Sequence, residues 1–114
     1  SATQTRQNAV KELTERADVV IVVGAPESSN SNRLVELAAK SGAAAYLVQD
    51  AGDIEPAWLE PARCVGVTAG ASAPEVLVEA VTARLEALAP DGARVDSLPE
   101  VDEGIVFKLP QELR

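Results

Sequence analysis

One short polar stretch of the sequence has the residue types that bind anions. The stretch ESSNSNR, residues 27–33, offers three hydroxyls, two carboxamides and one guanidinium, and it follows closely on an apolar run that ends in glycine. Backbone N–H groups at the start of a helix have no partner within the helix, and the helix dipole favours negative charge there. If a helix starts beside this stretch, its amides and these side chains together form a candidate anion site.

A second small-residue stretch, AGASAP at residues 69–74, contains one further hydroxyl, that of Ser72. Each stretch also has a simpler interpretation. Serine and asparagine routinely cap helix N-termini, and proline is common in the first turn of a helix. From the spacing alone, Ser72 and the serines of residues 27–33 either cap helices or hold ligand oxygens, and both interpretations stand.

The sequence lacks the motifs of several common ligand sites. Gly24-Ala25-Pro26 does not continue as GxGxxG, and no GxxxxGK[ST] string occurs, so a nucleotide cofactor is not supported. The chain has no histidine and one cysteine, Cys64, which excludes the usual zinc ligand sets and a Cys–His nucleophile pair within it. We expect Trp58 and Cys64 to be packing residues in or beside the core.

Composition and charge limit the partners. The 18 acidic and 10 basic residues give a formal net charge of −8, which opposes binding to nucleic-acid phosphates. The apolar content of 46% suffices for one core, while apolar runs are far shorter than the ~20 residues that cross a bilayer. No nucleic-acid or membrane partner is therefore expected. A single cysteine forms no disulfide within the chain, and the N-terminus has no basic start followed by an apolar stretch, so we expect a cytoplasmic protein.

Hydrophobic periodicity predicts strands that alternate with helices. Residues 19–23 form an unbroken β-branched run, which is typical of a central parallel strand covered on both faces. Before it, Val10, Leu13 and Ala17 recur at helical spacing. The predicted elements are a helix at 3–17, a strand at 19–23, a loop at 24–31, a helix at 33–40 that stops at Ser41-Gly42, a strand at 44–48, a turn at 50–53, a short helix at 55–61, a strand at 64–68, a loop at 69–74, a helix at 74–88 and a late strand at 104–109.

These elements predict a three-layer α/β lobe with a mainly parallel sheet, because strand–helix–strand units form right-handed parallel crossovers. We assign residues 1–89 to this lobe. Residues 90–114 are assigned to a C-terminal tail whose one late strand packs on the lobe or on a neighbour. Ligands of such sheets bind at the carboxyl ends of the strands. The two polar loops should therefore face one ligand.

Five strings of the sequence can be compared with known families: ATQTRQNAV at 2–10, VVG at 22–24, SSNSNRL at 28–34, VGVTAGASAP at 65–74 and IVFKLP at 105–110. Taken in this order, they resemble the 4-hydroxy-3-methylbut-2-enyl diphosphate reductase family and match its C-terminal part. The resemblance implies that the chain is one of three similar α/β lobes around a central 4Fe-4S cluster. It also implies that Ser28, Ser29, Asn30 and Ser72 hold the substrate diphosphate, so that the two loops form one site.

The resemblance further implies the chemistry of the complete enzyme. By this resemblance, the complete enzyme converts an allylic diphosphate to isopentenyl and dimethylallyl diphosphates in the methylerythritol phosphate route to isoprenoids, with ferredoxin or flavodoxin as electron donor. The family's catalytic residues and two cluster cysteines belong to upstream lobes, the third cysteine is expected immediately before Ser1, and Cys64 matches none of them. We therefore expect no catalytic residue, no metal ligand and no turnover from this chain alone.

One departure from the family concerns Glu27, which stands where relatives often have asparagine and places an anion beside the diphosphate loop.

The alternative function is a noncatalytic anion-binding or assembly module of similar fold. A cysteine directly before Ser1, together with two further lobes that contain one cysteine each, would distinguish the enzyme from the module.

Overall fold

The computed structural model describes residues 10–60, 62–70, 73–89, 94–97 and 105–108, the last two ranges as backbone only. In chain order the elements are helix α1, described at residues 10–16, strand β1 (Val19–Val23), helix α2 (Ser29–Lys40), strand β2 (Ala44–Val48), 3-10 turns at Ala51–Asp53 and Pro56–Leu59, strand β3 (Cys64–Ala69), helix α3 (Glu75–Leu88), and strands β4 (Arg94–Ser97) and β5 (Ile105–Lys108).

One five-stranded sheet joins the strands in the order β2-β1-β3-β5-β4. Strand β1 pairs in parallel with β2 on one side and with β3 on the other, so that Val23 lies opposite both Val48 and Ala69. Strand β5 pairs antiparallel with β3, and β4 pairs antiparallel with β5. The three parallel strands therefore end at one edge of the sheet, and the α/β fold class predicted from the sequence is confirmed.

The side chains of β1 are all buried and alternate between two apolar cores. On one face, Ile21 packs in the same core as Val81 and Leu85 of α3. On the other face, the core contains side chains of both α1 and α2. Its buried members are Val10, Leu13, Ala17, Val20, Val22, Leu34, Ala38 and Cys64. The sheet thus lies between α1 and α2 on one side and α3 on the other, which is the predicted three-layer arrangement.

Close packing of α1 on the sheet depends on Gly66 in the middle of β3. A Cβ atom at this position would lie 3.0 Å from Cδ2 of Leu13 and 3.2 Å from Cβ of Ala17. Both of those side chains are buried, so neither can turn into solvent to make room. The absence of a side chain at residue 66 therefore allows α1 to pack directly on the strand.

Asp18 joins β1 to β3 at the edge of the sheet opposite the polar loops. Its Oδ1 accepts hydrogen bonds from the backbone N–H groups of Arg63, at 3.2 Å, and of Cys64, at 3.0 Å, while Oδ2 accepts from Arg63 at 3.0 Å. The backbone N–H of Asp18 donates in turn to the carbonyl oxygen of Cys64. These bonds fix the parallel register at the point where both strands begin.

Helix α2 stops where the sequence predicts. Gly42, with a φ of 98°, donates a hydrogen bond from its backbone N–H to the carbonyl of Ala39 at 3.0 Å, and Ala43 donates to Ala38 at 3.2 Å. This pair of bonds is the usual glycine-terminated helix end, in which the residue after the C-cap adopts a left-handed conformation.

The region between β2 and β3 forms two 3-10 turns. The first, Ala51–Asp53, covers the predicted turn, and the second, Pro56–Leu59, lies within the predicted short helix and has Pro56 in its first turn, as expected. Trp58 is half-buried, packs against the α3-side core and stacks on Tyr46 with ring centroids 4.0 Å apart. The packing roles expected for Trp58 and for the buried Cys64 are therefore confirmed.

The segment after α3 differs from the prediction. The breakers Pro90, Gly92 and Pro99 predicted no regular element before a single late strand at 104–109, whereas the described residues include two strands there, β4 and β5. The prediction of one late strand was wrong because β4 forms through pairing with β5, and such cross-strand partners override local preference. Since β5 pairs with β3, this part of the tail extends the sheet of the lobe.

No helix among the described residues is both long enough and apolar enough to cross a membrane.

Candidate functional site

Helix α2 begins inside the polar stretch, four residues earlier than the pattern predicts. Ser28 is its N-cap, with φ −80° and ψ 117°, and the first helical residue is Ser29. The prediction of a loop through Ser31 was wrong, because the weak helix propensity of serine and asparagine is offset by capping at the first turn. Ser29 and Asn30 therefore lie in the first turn of a helix rather than in a free loop.

Ser28 caps helix α2 through the oxygen of its hydroxyl. Its Oγ accepts a hydrogen bond from the backbone N–H of Ser31 at 3.2 Å. A hydroxyl that accepts one hydrogen bond still has its own proton to donate. The cap interpretation of this serine is thus correct, and it does not compete with a contact to an anion, because the two use different parts of the same group.

Asn32 holds the backbone that precedes the helix. Its Nδ2 donates to the carbonyl oxygen of Pro26 at 2.7 Å and to that of Ser28 at 2.9 Å. The N–H of Ser28 donates to the carbonyl of Ala25 at 3.0 Å, so the approach to the helix is a hydrogen-bonded turn. Asn32 therefore has a structural role within the polar stretch and fixes the position of its neighbours.

The charged side chains of this stretch point away from its interior. Arg33 is exposed and pairs with Glu36 one turn later, with 3.5 Å between Nη1 and Oε1. Glu27 is exposed, and the first turn of α2 contains no acidic residue. The immediate start of α2 consequently presents neutral donors and the positive end of the helix dipole, an arrangement that favours an anion.

The starts of the two loops meet at Ser31. Gly24 and Gly70 directly follow β1 and β3, and the N–H of Gly70 donates to the carbonyl of Val23 at 2.9 Å. The Ser31 side chain is fully buried against both glycines, since a Cβ atom at either one would overlap its Oγ. The Oδ1 of the half-buried Asn30 lies 3.6 Å from the Cβ position of Gly70. The first turn of α2 therefore touches the start of the β3–α3 loop, as strand-end convergence predicts.

Ser72 itself lies outside the described residues, and its part in the site stays a prediction. The residues that flank positions 71–72 are described: the N–H of Ala73 donates to the carbonyl of Gly70 at 3.1 Å. The N-cap of α3 is Pro74, which makes no capping bond with its side chain.

A cavity of about 130 Å³ opens beside the same strand ends, on the α3 side. Its lining is mostly apolar, with Gln49 as the polar side chain. The lining residues are Val23, Gly24, Ala25, Gln49, Ala73, Pro74 and Leu77. The edge of the sheet where the first turn of α2 meets the start of the β3–α3 loop is thus bordered by apolar surface.

The described residues do not form a metal centre. No group of three or more histidine, cysteine, aspartate or glutamate side chains in these ranges is placed to hold a metal ion. Cys64 is buried at the start of β3, five residues from the end that faces the polar loops, a distance of about 16 Å along a strand. The part of the chain described here therefore does not fit the ligand set of an iron–sulfur cluster, and Cys64 is a core residue.

Sequence reasoning did not single out Ser31, Gly24 and Gly70 as a group. A signal for Ser31 was present, because Ser31, Leu34 and Ala38 share one helical face and all three are buried. That spacing would have placed Ser31 toward the sheet. The contact with the two glycines depends on how α2 lies across the strand ends, which the spacing does not contain.

Comparison with known proteins agrees with this architecture. The family model described as LytB protein matches residues 1–86. The chain belongs to the LytB family. Similar proteins are the 4-hydroxy-3-methylbut-2-enyl diphosphate reductases of Cronobacter sakazakii, 58% identical over 113 residues, and of Mannheimia succiniciproducens, 56% identical over 113 residues. In both comparisons the alignment covers 99% of this chain, which spans 35% of the relative.

Two solved reductase structures share the fold. A structure of (E)-4-hydroxy-3-methyl-but-2-enyl diphosphate reductase, the terminal enzyme of the non-mevalonate pathway, matches 75% of this chain and 31% of its own with a TM-score of 0.72 and 34% identity. The Plasmodium falciparum E-1-hydroxy-2-methyl-but-2-enyl-4-diphosphate reductase matches 80% of this chain and 28% of its own, with a TM-score of 0.69 and 27% identity. This LytB chain thus corresponds to about one third of the reductases that it resembles.

Proposed function

We propose that this LytB chain is the part of a 4-hydroxy-3-methylbut-2-enyl diphosphate reductase that binds the substrate diphosphate through Ser28, Ser29, Asn30 and Ser72. The observation that carries the proposal is the close packing of Ser31, in the first turn of α2, against Gly70 at the start of the loop that contains Ser72. Identity of 58% to a reductase over nearly the whole chain supports the enzyme over a noncatalytic module.

The chemistry of the first turn of α2 suits a diphosphate. Ser28 keeps a donor hydrogen while it caps the helix, and Ser29 is exposed beside it. Hydrogen bonds from neutral donors to a charged group contribute ~1.5–3 kcal/mol each, and the helix dipole adds to them. Several such bonds hold the anion without a lysine in contact.

The role of this chain in the reaction is to position the substrate. Binding energy from the nonreacting diphosphate end holds the carbon skeleton so that its allylic hydroxyl reaches the reacting centre. The apolar lining beside the strand ends is compatible with a short hydrocarbon next to the anion. Isopentenyl and dimethylallyl diphosphates are the proposed products of the complete enzyme.

The 4Fe-4S cluster implied by the family is expected to be held by residues outside this chain, since the described residues offer no ligand set for it. We accordingly propose no reaction step on the residues of this chain. Ferredoxin or flavodoxin remains the proposed electron donor, the upstream lobes remain the proposed partners, and the cytoplasm remains the proposed compartment.

The test is made on the intact protein that contains this chain. The dissociation constant of inorganic diphosphate and the KM of the allylic diphosphate are measured for wild type, Ser28→Ala and Ser72→Ala. Both constants should rise in both variants, by roughly 10–100-fold for the loss of one hydrogen bond to a charged group. Unchanged constants in both variants would remove these serines from the site and overturn the proposal.

A further inference from the structure

The Oγ of Ser31 lies where the two segments of the proposed site meet. This hydroxyl is fully buried, and it lies between Gly24 at the end of β1 and Gly70 at the end of β3. Its oxygen has no hydrogen-bond partner among the residues that the structure describes. Burial of an unsatisfied hydroxyl destabilises a fold, so within the described residues fold stability does not account for serine at this position.

The two glycines meet Ser31 in different ways. A Cβ atom at Gly70 would overlap the Oγ of Ser31 but would lie 3.5 Å from its Cβ, which is an ordinary contact. A Cβ atom at Gly24 would overlap Oγ and would also lie 2.7 Å from the Cβ of Ser31, a distance that real Cβ atoms essentially never show. The overlap at Gly70 therefore involves only the hydroxyl of Ser31, whereas the overlap at Gly24 also involves the Cβ of Ser31.

We infer that Ser31 is a positioning residue for diphosphate binding: its hydroxyl is the spacer that sets the distance between the first turn of α2 and the loop that follows β3. This inference rests on the proposed function, since it takes both segments as halves of one diphosphate site. Ser31 acts through its neighbours, because Asn30 precedes it on the helix and the loop of Ser72 begins at Gly70. A ligand held from both sides is sensitive to this spacing, because the donors of both segments reach it only at the right separation.

The asymmetry between the glycines provides the experiment. In the intact protein, Gly70→Ala should push the loop away from α2 and raise both the KM of the allylic diphosphate and the dissociation constant of inorganic diphosphate, by about tenfold or more if one hydrogen bond to the charged group is lost. Ser31→Ala removes the overlapping atom, so the double variant Ser31→Ala/Gly70→Ala should recover most of the lost affinity. The matched control is Gly24→Ala, which Ser31→Ala should not rescue, because its contact with Cβ remains.

The effect should fall on KM more than on kcat, which a general loss of folded protein does not produce. Melting temperatures of all variants are measured in parallel. If Gly70→Ala does not fold, Ser31→Cys is the second variant, because its larger sulfur widens the same gap and should raise KM. An unchanged KM in the variant that is used, Gly70→Ala or Ser31→Cys, would mean that the side chain at residue 31 turns aside. This result would overturn the inference.

Failure of rescue in the double variant overturns the inference as well. These outcomes differ from failure of the proposed function. If Ser28→Ala and Ser72→Ala weaken binding while Gly70→Ala does not, the site stands and only the spacer role is lost. If none of the variants changes the affinity for diphosphate, the proposed site itself is wrong.

Discussion

The Oγ of Ser28 lies 3.2 Å from the backbone nitrogen of Ser31 and accepts its hydrogen. This bond makes Ser28 the N-cap of α2 and sets the direction in which the first turn leaves β1. The capping residue and the buried spacer residue are thereby linked within one helical turn. Changes at Ser28 consequently affect the stability of the helix and the binding of an anion by separate mechanisms, which substitutions can distinguish.

Ser28→Asp separates capping from ligand binding. Aspartate caps helices as well as serine does, so the free energy of unfolding should stay close to that of the wild type, whereas Ser28→Ala should lower it by about 1 kcal/mol. Both variants lose the hydroxyl donor, and the new carboxylate also repels phosphate, so diphosphate affinity should fall more with aspartate than with alanine. Chemical denaturation and calorimetric titration with inorganic diphosphate measure the two effects. Wild-type affinity in Ser28→Asp would contradict the assignment of Ser28 to the site.

Ser72→Ala should weaken diphosphate binding by roughly 10–100-fold with little change in the melting temperature, since one hydrogen bond to a charged group is lost. The matched control is Ser41→Ala at the opposite end of α2. The Ser41 hydroxyl donates to the carbonyl of Leu37 at 3.0 Å, so its removal should change stability slightly and affinity not at all. Equal losses of affinity in both variants would indicate an indirect effect through the fold.

Gly66→Ala should destabilise the fold by about 1–3 kcal/mol through overpacking against α1. The added methyl meets the buried Leu13 and Ala17 at 3.0 and 3.2 Å. Gly52→Ala is the control, because its nearest neighbour is only the carboxylate end of Asp50, at 3.2 Å, and residue 52 is exposed. The free energies of unfolding from urea titrations should rank Gly66→Ala well below Gly52→Ala. An equal stability of the two variants would show that α1 can move away without cost.

Asp18→Ala should lower the free energy of unfolding by about 1–3 kcal/mol, because two backbone N–H groups at the start of β3 lose a charged acceptor. Asp18→Asn keeps one acceptor oxygen and should show a smaller loss. Residue 18 lies at the edge of the sheet opposite the proposed site, so diphosphate affinity in the folded variants should equal that of the wild type. A selective loss of affinity without a loss of stability would contradict this structural role.

Local sequence was sufficient for the elements that have strong periodic or terminating signals. The run at residues 19–23 is a central strand buried on both faces, and Val10, Leu13 and Ala17 face one core. The stop at Ser41-Gly42 is also where predicted, because a left-handed glycine is a local property of the chain. The strings shared with the reductase family added the expectation of a diphosphate site. The substitutions at Ser28 and Ser72 test that expectation.

Other features were decided only by tertiary structure. Strand β4 forms through its pairing with β5, against the local breakers around it. The sequence by itself determined the α/β layers, since burial follows the periods of strands and helices. The contact of Ser31 with Gly24 and Gly70 joins residues that are 39 positions apart, from Ser31 to Gly70, and it exists only where parallel strands bring their carboxyl ends together. No local pattern encodes such a distance, because it depends on the packing of a helix across two strands.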